Sequence, residues 1–380
     1  MSEVGDRREA ERLLTAAAVR GAANDMLREA LAWSLPQWGV DLSRMEAAAD
    51  LTAAMVRANY PDLNVPFHAR WRHFSADGRD LWAGADKPVD PTELGRAAFN
   101  LVIPSVLLDA GAGPGWRYRD ATGAELSRSE GLGVASLRMW QSGALDDLSA
   151  VTAGAVTKAF QVSDDNPLVG VEGRAELLRR VGQAVGRPSR LFDIMADRAI
   201  DGVLAAPQIL EVLLSELGSI WPGRLSLAGI PLGDCWTHPL EGRRRVPLHK
   251  LSQWMSYSLI EPLRWAGIKV VHIDGLTGLA EYRNGGLFVD TGVLTLRNPE
   301  DERIAHPVDS PVIVGWRSLT VALLDRIAPM VRERLGVSPE AFPLACVLEG
   351  GTWAAGRQIA REKRADGGPP ITVISDGTVF

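Results

Sequence analysis

A mainly α-helical chain with a few short strands is what this sequence predicts, and three observations predict it. Apolar residues recur at three- and four-residue spacing through long segments, strict apolar/polar alternation is scarce, and turns rich in Gly, Pro or Asp separate one periodic segment from the next. The composition is that of a globular chain: 380 residues, 46% hydrophobic and 23% charged. A chain of this length forms one large domain or two tightly joined ones. The turn-rich segment 86–91 is the expected boundary between an N-terminal helical region, 1–90, and a main helical domain, 91–380, that carries the pocket.

Taken in order, residues 6–35 read as one Ala/Leu helix, and the charged opening 1–14 as helix rather than signal peptide. A second helix is expected over 41–59, opened by Asp41 or Ser43 and closed at Asn59-Tyr60-Pro61. In the loop that follows, His68, Arg70, Trp71, Arg72 and His73 crowd into six positions. Such a cluster binds a phosphate or a carboxylate, or else it is a surface loop anchored by Phe67 and Trp71. Its histidines stand among cations that would repel an added metal ion. From Thr92 a helix leads to the glycine-rich turn at 109–114, which lacks the following helix that a dinucleotide fingerprint requires.

Residues 116–119 read as a strand or a stacking edge, and 129–140, 146–160 and 172–185 as helices. Segments 191–195 and 201–204 feed a helix over 206–217, and a loop over 229–239 places Asp234, Trp236 and His238 just upstream of the next helix. They are pocket wall, or Trp236 is a plug. Residues 299–306 read as a surface loop, and 312–335 as an amphipathic helix interrupted at Pro329. Residues 344–349 lead through Gly350-Gly351 into a helix over 353–363, whose N-terminus offers an anion site with Thr352 and Arg357 as helpers. A short strand at 371–374, a turn at 376–378 and an inward-tucked Val379-Phe380 finish the chain.

The densest polar chemistry lies in residues 246–294. A helix over 248–265 carries Leu248, Leu251, Leu259 and Leu263 on one face, with Pro262 kinking or ending it. An apolar run over 268–273 delivers Asp274-Gly275 into a turn, and Glu281, Tyr282, Arg283 and Asn284 precede Gly285-Gly286. Lys250, Gln253, Asp274, Glu281, Arg283, Asn284 and Asp290 thus stand beside apolar stripes that must be buried. Polar groups against a core are costly without partners, so their density suggests a lined small-molecule pocket. Glu281 and Asp274, seven residues apart across a turn, serve one substrate as acid and base, or they are a cap and a structural ion pair.

Several classes are disfavoured. The net charge of −6 advertises no basic surface for nucleic acid. No apolar run approaches the roughly 18 residues of a membrane span. Cys235 and Cys346 lack metal-ligand spacing and read as core residues of a cytoplasmic protein. Neither a metal nor a cofactor is expected, and the oligomeric state is not readable. Twelve tryptophans are the compositional oddity, since flat aromatic walls suit sugars and planar bases as well as cores.

The strings HKLSQWMSYSLIEPL (249–263), DGLTGLAEYRNGGLFVDTGVL (274–294), RANYPDLNVPFHARWRHF (57–74), SVLLDAGAGPGWRYRD (105–120), LEGGTWAAGRQIA (348–360) and GGPPITVISDGTVF (367–380) resemble the uracil-catabolism protein 4 family, over nearly the whole chain. That family is associated with a pathway that opens the uracil ring while it is attached to ribose and finally releases urea. The resemblance implies hydrolysis of an N-ribosyl bond, with ribosylurea or its phosphate as substrate. A Lys-bearing amphipathic helix followed by Glu281-Tyr282-Arg283 is also similar to the queuosine-salvage N-glycosylases, where an Asp-Tyr-Arg carries the catalytic acid. This shorter match implies a compact helical fold of that type and puts Glu281 in the acid's place.

The sequence departs from that pattern in one respect. The second acid, expected on the preceding helix, falls near Ser256 to Ser258, and Asp274 is the substitute. Gln253, Arg283 and Asn284 are then expected to hold sugar hydroxyls or the urea, and Lys250, Arg70, Arg72 or Arg357 a phosphate. His249, Trp236, Asp234, His68, Trp71 and Trp353 complete the candidate wall. The expected partner is a ribosylated small molecule, with neither nucleic acid nor membrane. Two rivals stand beside this reading. Hydrolysis of the urea amide finds no His-x-Glu, Cys cluster or Gly-x-Ser-x-Gly here, and a ligand-binding regulator without turnover would use the same pocket.

Overall fold

The computed structural model describes residues 3–109, 111–113, 115–221, 225–240 and 244–374. It is mainly α-helical, and the strands among the described residues form seven separate two-stranded pairs. The chain divides into two compact units. The first comprises Met1–His68, Leu225–Gln253 and Ile273–Asp376; the second comprises Ala69–Arg224, Trp254–His272 and Gly377–Phe380.

The first unit is built on the helix Pro311–Leu335, which packs against Ala16–Leu31 and Met45–Asn59. Ser310 caps it by accepting from the Ile313 N–H, Pro311 fits a first turn whose N–H groups have no partner, and Gly336 closes it at φ +70°. Val314, Trp316, Leu319, Leu323, Leu324 and Ile327 are all buried, so the helix is core on nearly every side. Trp38 stacks on Trp316 at 6.4 Å and donates its indole N–H to the Val312 carbonyl.

Local expectation and structure differ at three kinds of place. The helix expected over 6–35 is two helices, Glu3–Leu13 and Ala16–Leu31, because Thr15 turns extended and accepts from the Ala18 N–H as a new cap. Pro329 interrupts nothing, and Lys250–Trp265 likewise runs through Pro262. The lost backbone bond is outweighed by the buried apolar side chains on either side. The 229–239 loop contains a strand: Cys235–His238 pairs antiparallel with Arg244–Pro247.

The short strand expected near 371–374 is Thr372–Ile374, parallel to Ala305–Pro307. The turn at 376–378 and the terminus at 379–380 lie outside the described residues, as do Ala110 and Pro114 of the 109–114 turn.

In the second unit, Pro91–Leu107 packs on Ser189–Arg198, with Phe99 edge-on to Phe192 at 5.4 Å. Lys269–Val271 lies parallel to Val203–Ala205. Trp71, Trp82, Trp140 and Trp265 form one aromatic cluster with neighbouring rings 4.8 to 6.1 Å apart. Part of the tryptophan excess is therefore core packing, and Trp71 is an anchor within it.

Candidate functional site

The site-bearing part of the first unit starts from a saturated polar knot. The Arg317 guanidinium grips Asp234 with both Nη atoms, at 2.8 and 2.7 Å, and both residues are buried. Trp236 donates its indole N–H to the same carboxylate at 2.6 Å, and the backbone N–H of Lys250 does so at 3.0 Å. Asp234 therefore serves as an acidic cap at the start of Lys250–Trp265, where a carboxylate complements the free N–H groups and the helix dipole. His249, directly before that start, is held at φ +47° and its Nε2 meets the Leu13 carbonyl at 2.9 Å. Burial holds its pKa below the usual histidine value.

The knot fixes the first turn of that helix, and the turn presents Gln253. Arg317 Nε reaches the Ala280 carbonyl at 3.3 Å, which ties the knot to the loop 277–281. Gln253 Oε1 accepts the Thr277 N–H on this loop at 3.3 Å, and Asn284 Nδ2 donates to the Leu279 carbonyl at 3.3 Å. These bonds set the orientation of both amides. What remains is a donor, Gln253 Nε2, and an acceptor, Asn284 Oδ1, each on a fully buried residue and each without a hydrogen-bond partner among the described residues. Glu281 sits between them in sequence and caps Tyr282–Asp290: its two oxygens accept the Arg283 N–H at 2.9 Å and the Asn284 N–H at 2.6 Å.

Arg283 extends from that helix onto an aromatic face. Its guanidinium lies 5.0 Å from the Tyr282 ring centroid and 5.4 Å from that of Trp353, while Arg357 stands 5.4 Å from the same Trp353 ring. His68 completes the group, 6.1 Å from Trp353 and joined through Nδ1 to Glu349 at 2.6 Å. Glu349 belongs to a π-helical turn, Val347–Thr352, between Leu344–Cys346 and Trp353–Lys363. The helical run thus begins at Leu344, and the Trp353 N–H donates back to the Leu348 carbonyl. No free helix N-terminus stands at Gly350-Gly351, and the anion site expected there is not formed. Gly356 lets this helix meet Tyr282–Asp290 directly, since a Cβ there would lie 2.1 Å from the Arg283 carbonyl oxygen.

A family model described as "Protein of unknown function (DUF1688)" matches residues 12–380. The chain belongs to this family. It is 38% identical to Protein urg3 of Schizosaccharomyces pombe, over 97% of this chain and 98% of that protein. It is 35% identical to Uracil catabolism protein 4 of Lachancea kluyveri, over 90% of this chain and 91% of that one.

In this DUF1688 chain the remaining candidates lie elsewhere. Asp274 clamps two segments: Oδ2 accepts from Arg332 at 2.6 Å, and Oδ1 accepts the Leu344 N–H at 2.6 Å, at the start of the π-containing helical run. Both oxygens are engaged, and neither shares a partner with Glu281. Arg70, Trp71 and Arg72 belong to the second unit, where Arg72 pairs with Glu261 and Trp71 donates to the Ser258 carbonyl. Sequence reasoning passed over Glu349 and Arg317. Each is the charged partner of a residue it did single out, but 281 and 83 positions away from it respectively. Both cysteines are buried, and burial beside Asp234 pushes the Cys235 thiol up to about 12. No helix among the described residues is long and apolar enough to cross a membrane.

Proposed function

We propose that this protein is a cytoplasmic N-ribosyl hydrolase of uracil catabolism that releases urea from ribosylurea or its 5′-phosphate. The observation that supports the reading best is the buried pair of unused amide atoms, Gln253 Nε2 and Asn284 Oδ1. A ureide carries a carbonyl acceptor and N–H donors side by side, which match in kind the donor and the acceptor that these two residues leave unused. Each buried polar atom left unpaired costs about 1–3 kcal/mol, which the ligand would recover. The name of the Lachancea relative, Uracil catabolism protein 4, suggests the pathway.

Breaking the C1′–N bond builds positive charge on the sugar, and the resulting cation is captured by water. In the balanced step a water oxygen bonds to C1′, the C1′–N bond breaks, and the departing urea nitrogen takes up a proton. Glu281 is the residue proposed for the anomeric face, stabilising the cation and taking the water's proton. Each carboxylate oxygen has more than one acceptor position, so capping two N–H groups leaves room for water. Asp274 remains a proposed second carboxylate from the sequence, but its contacts favour a clamp. Arg283 and Trp353 offer a flat, cationic wall to the sugar, and Arg357 or Lys250 a charge for a phosphate.

One observation favours a second reading, ligand binding without turnover: both Glu281 oxygens already cap a helix. Product analysis by mass spectrometry after incubation with ribosylurea and its 5′-phosphate separates the two. Urea together with ribose or ribose 5-phosphate is expected. Intact substrate at stoichiometric binding would favour the regulator, and ammonia in place of urea would favour amide hydrolysis.

A further inference from the structure

The second unit buries an arginine that its own contacts do not use up. Arg70 is fully buried, and its backbone N–H is fixed by Ser258 Oγ at 2.9 Å. Its Nε donates to Ser105 Oγ at 2.7 Å, and Ser105 in turn bonds Ser136 at 2.5 Å. Its Nη1 meets Asp109 Oδ1 at 2.6 Å, the Ser129 carbonyl at 3.3 Å and His73 Nδ1 at 3.4 Å. Its Nη2 has no hydrogen-bond partner among the described residues.

A guanidinium and a carboxylate ordinarily meet as fork on fork. Here the pair is single-pointed: Arg70 meets Asp109 through Oδ1, while Oδ2 accepts from Ser129 Oγ at 3.1 Å. A second buried guanidinium, Arg174, stands close by, bound to the carbonyls of Leu108, Gly111 and Val169. Both guanidiniums thus face Asp109, and Arg70 also the half-buried Glu130; burial together with the Arg70 charge brings the Arg174 pKa down to about 10. Gly111, whose carbonyl Arg174 holds, is exposed, so the cluster lies beneath a surface turn.

We propose that the Nη2 edge of Arg70 is the recognition edge of an oxyanion site in the second unit, which takes a phosphate or carboxylate group of a small molecule. Two N–H donors on one planar nitrogen, backed by a serine pair that locks the guanidinium plane, suit an oxyanion oxygen better than a neutral acceptor. Burying them unanswered would cost more than for a neutral donor. The proposal does not rest on the hydrolase reading, because binding is measured without turnover.

The test uses the full chain, with inorganic phosphate and acetate titrated against sodium chloride at matched ionic strength, read by calorimetry and by the shift in melting temperature. Saturable binding of phosphate, acetate or both is expected, and the stronger ligand tells which source the site fits. Arg70→Lys keeps a charge but loses the fork and should weaken binding by roughly tenfold or more. If that variant fails to fold, Ser105→Ala reads the same site by releasing the guanidinium, with an expected loss of roughly threefold. Arg96→Ala, which removes a cation paired with Glu93 and Asp193 in the same unit, should leave the affinity unchanged. Stabilisation by the oxyanions no greater than by chloride overturns the proposal. So does an affinity left unchanged by the Arg70 or Ser105 substitution, or one that is lost with Arg96→Ala.

Discussion

The Asp234–Arg317 knot and the loop 277–281 are neighbours in the first unit, and they handle burial differently. In the knot every charged atom has an answer: fork meets fork, and the indole of Trp236 and the Lys250 N–H take further positions on the carboxylate. Around the loop the amides of Gln253 and Asn284 each spend one atom on the backbone and leave the other unpaired at zero exposure. A saturated buried charge pair is architecture; a half-used buried amide is a stored binding capacity. The difference teaches that density of polar residues in a sequence does not separate the two roles. Saturation does.

The first way to break this comparison is to unsaturate the knot. Arg317→Leu leaves the Asp234 charge buried without its cation and should cost about 3–5 kcal/mol in chemical denaturation. A loss below about 1 kcal/mol would mean that the knot is not what holds the loop. Gly356→Ala sharpens the comparison without changing a polar group. It forces apart the two helices that fix Arg283 and should destabilise by roughly 1–3 kcal/mol. An unchanged melting temperature would show that the crossing is loose.

Protonation probes the knot from another side. Burial holds His249 and His238 below the 6.5 that each takes up on unfolding. The unfolded chain therefore gains protons first as pH falls, so stability is full above about pH 6.5 and declines below it, by up to about 1.4 kcal/mol per pH unit for each histidine. Denaturation midpoints measured across that range should slope, and His249→Gln should flatten the slope. A profile level from about pH 7.5 to 5.5 would contradict the burial seen here.

The smallest effects on stability belong to the unsaturated side. Asn284→Leu gives up one 3.3 Å bond and should cost only about 1 kcal/mol, yet weaken ribosylurea binding by roughly tenfold, as expected for a lost ligand hydrogen bond. If stability falls steeply and affinity holds, the two sides have been read the wrong way round. Asp274→Asn should also cost about 1 kcal/mol, from the weakened bond to Arg332, and leave the urea-release rate of the folded protein unaltered. A drop of about two orders in that rate would make Asp274 a reacting group after all.

Much of the fold was legible because helical periodicity reports burial, as in 312–335, and a helix start such as Asp41 carries its capping chemistry in the residue type. What sequence missed was decided by distant neighbours. Pro329 and Pro262 break the local rule for helices but sit inside elements buried by the rest of the chain. The strand at Cys235–His238 alternates weakly, with three of its four residues buried, so no period-two signal announced it. In the candidate site, Glu281 and Asn284 could be singled out from one short string. That Glu281 caps its own helix, and that His68 finds its carboxylate at Glu349, required the folded chain.

The most direct test of the central claim compares urea release and ribosylurea binding in the wild type and in Glu281→Gln. The amide keeps the size and one acceptor for the helix N–H groups, so the fold should survive with about 1 kcal/mol lost. Binding should stay within a few fold, and urea release should fall by roughly two orders of magnitude or more. A variant that releases urea at the wild-type rate would contradict the account and leave Glu281 as a helix cap alone.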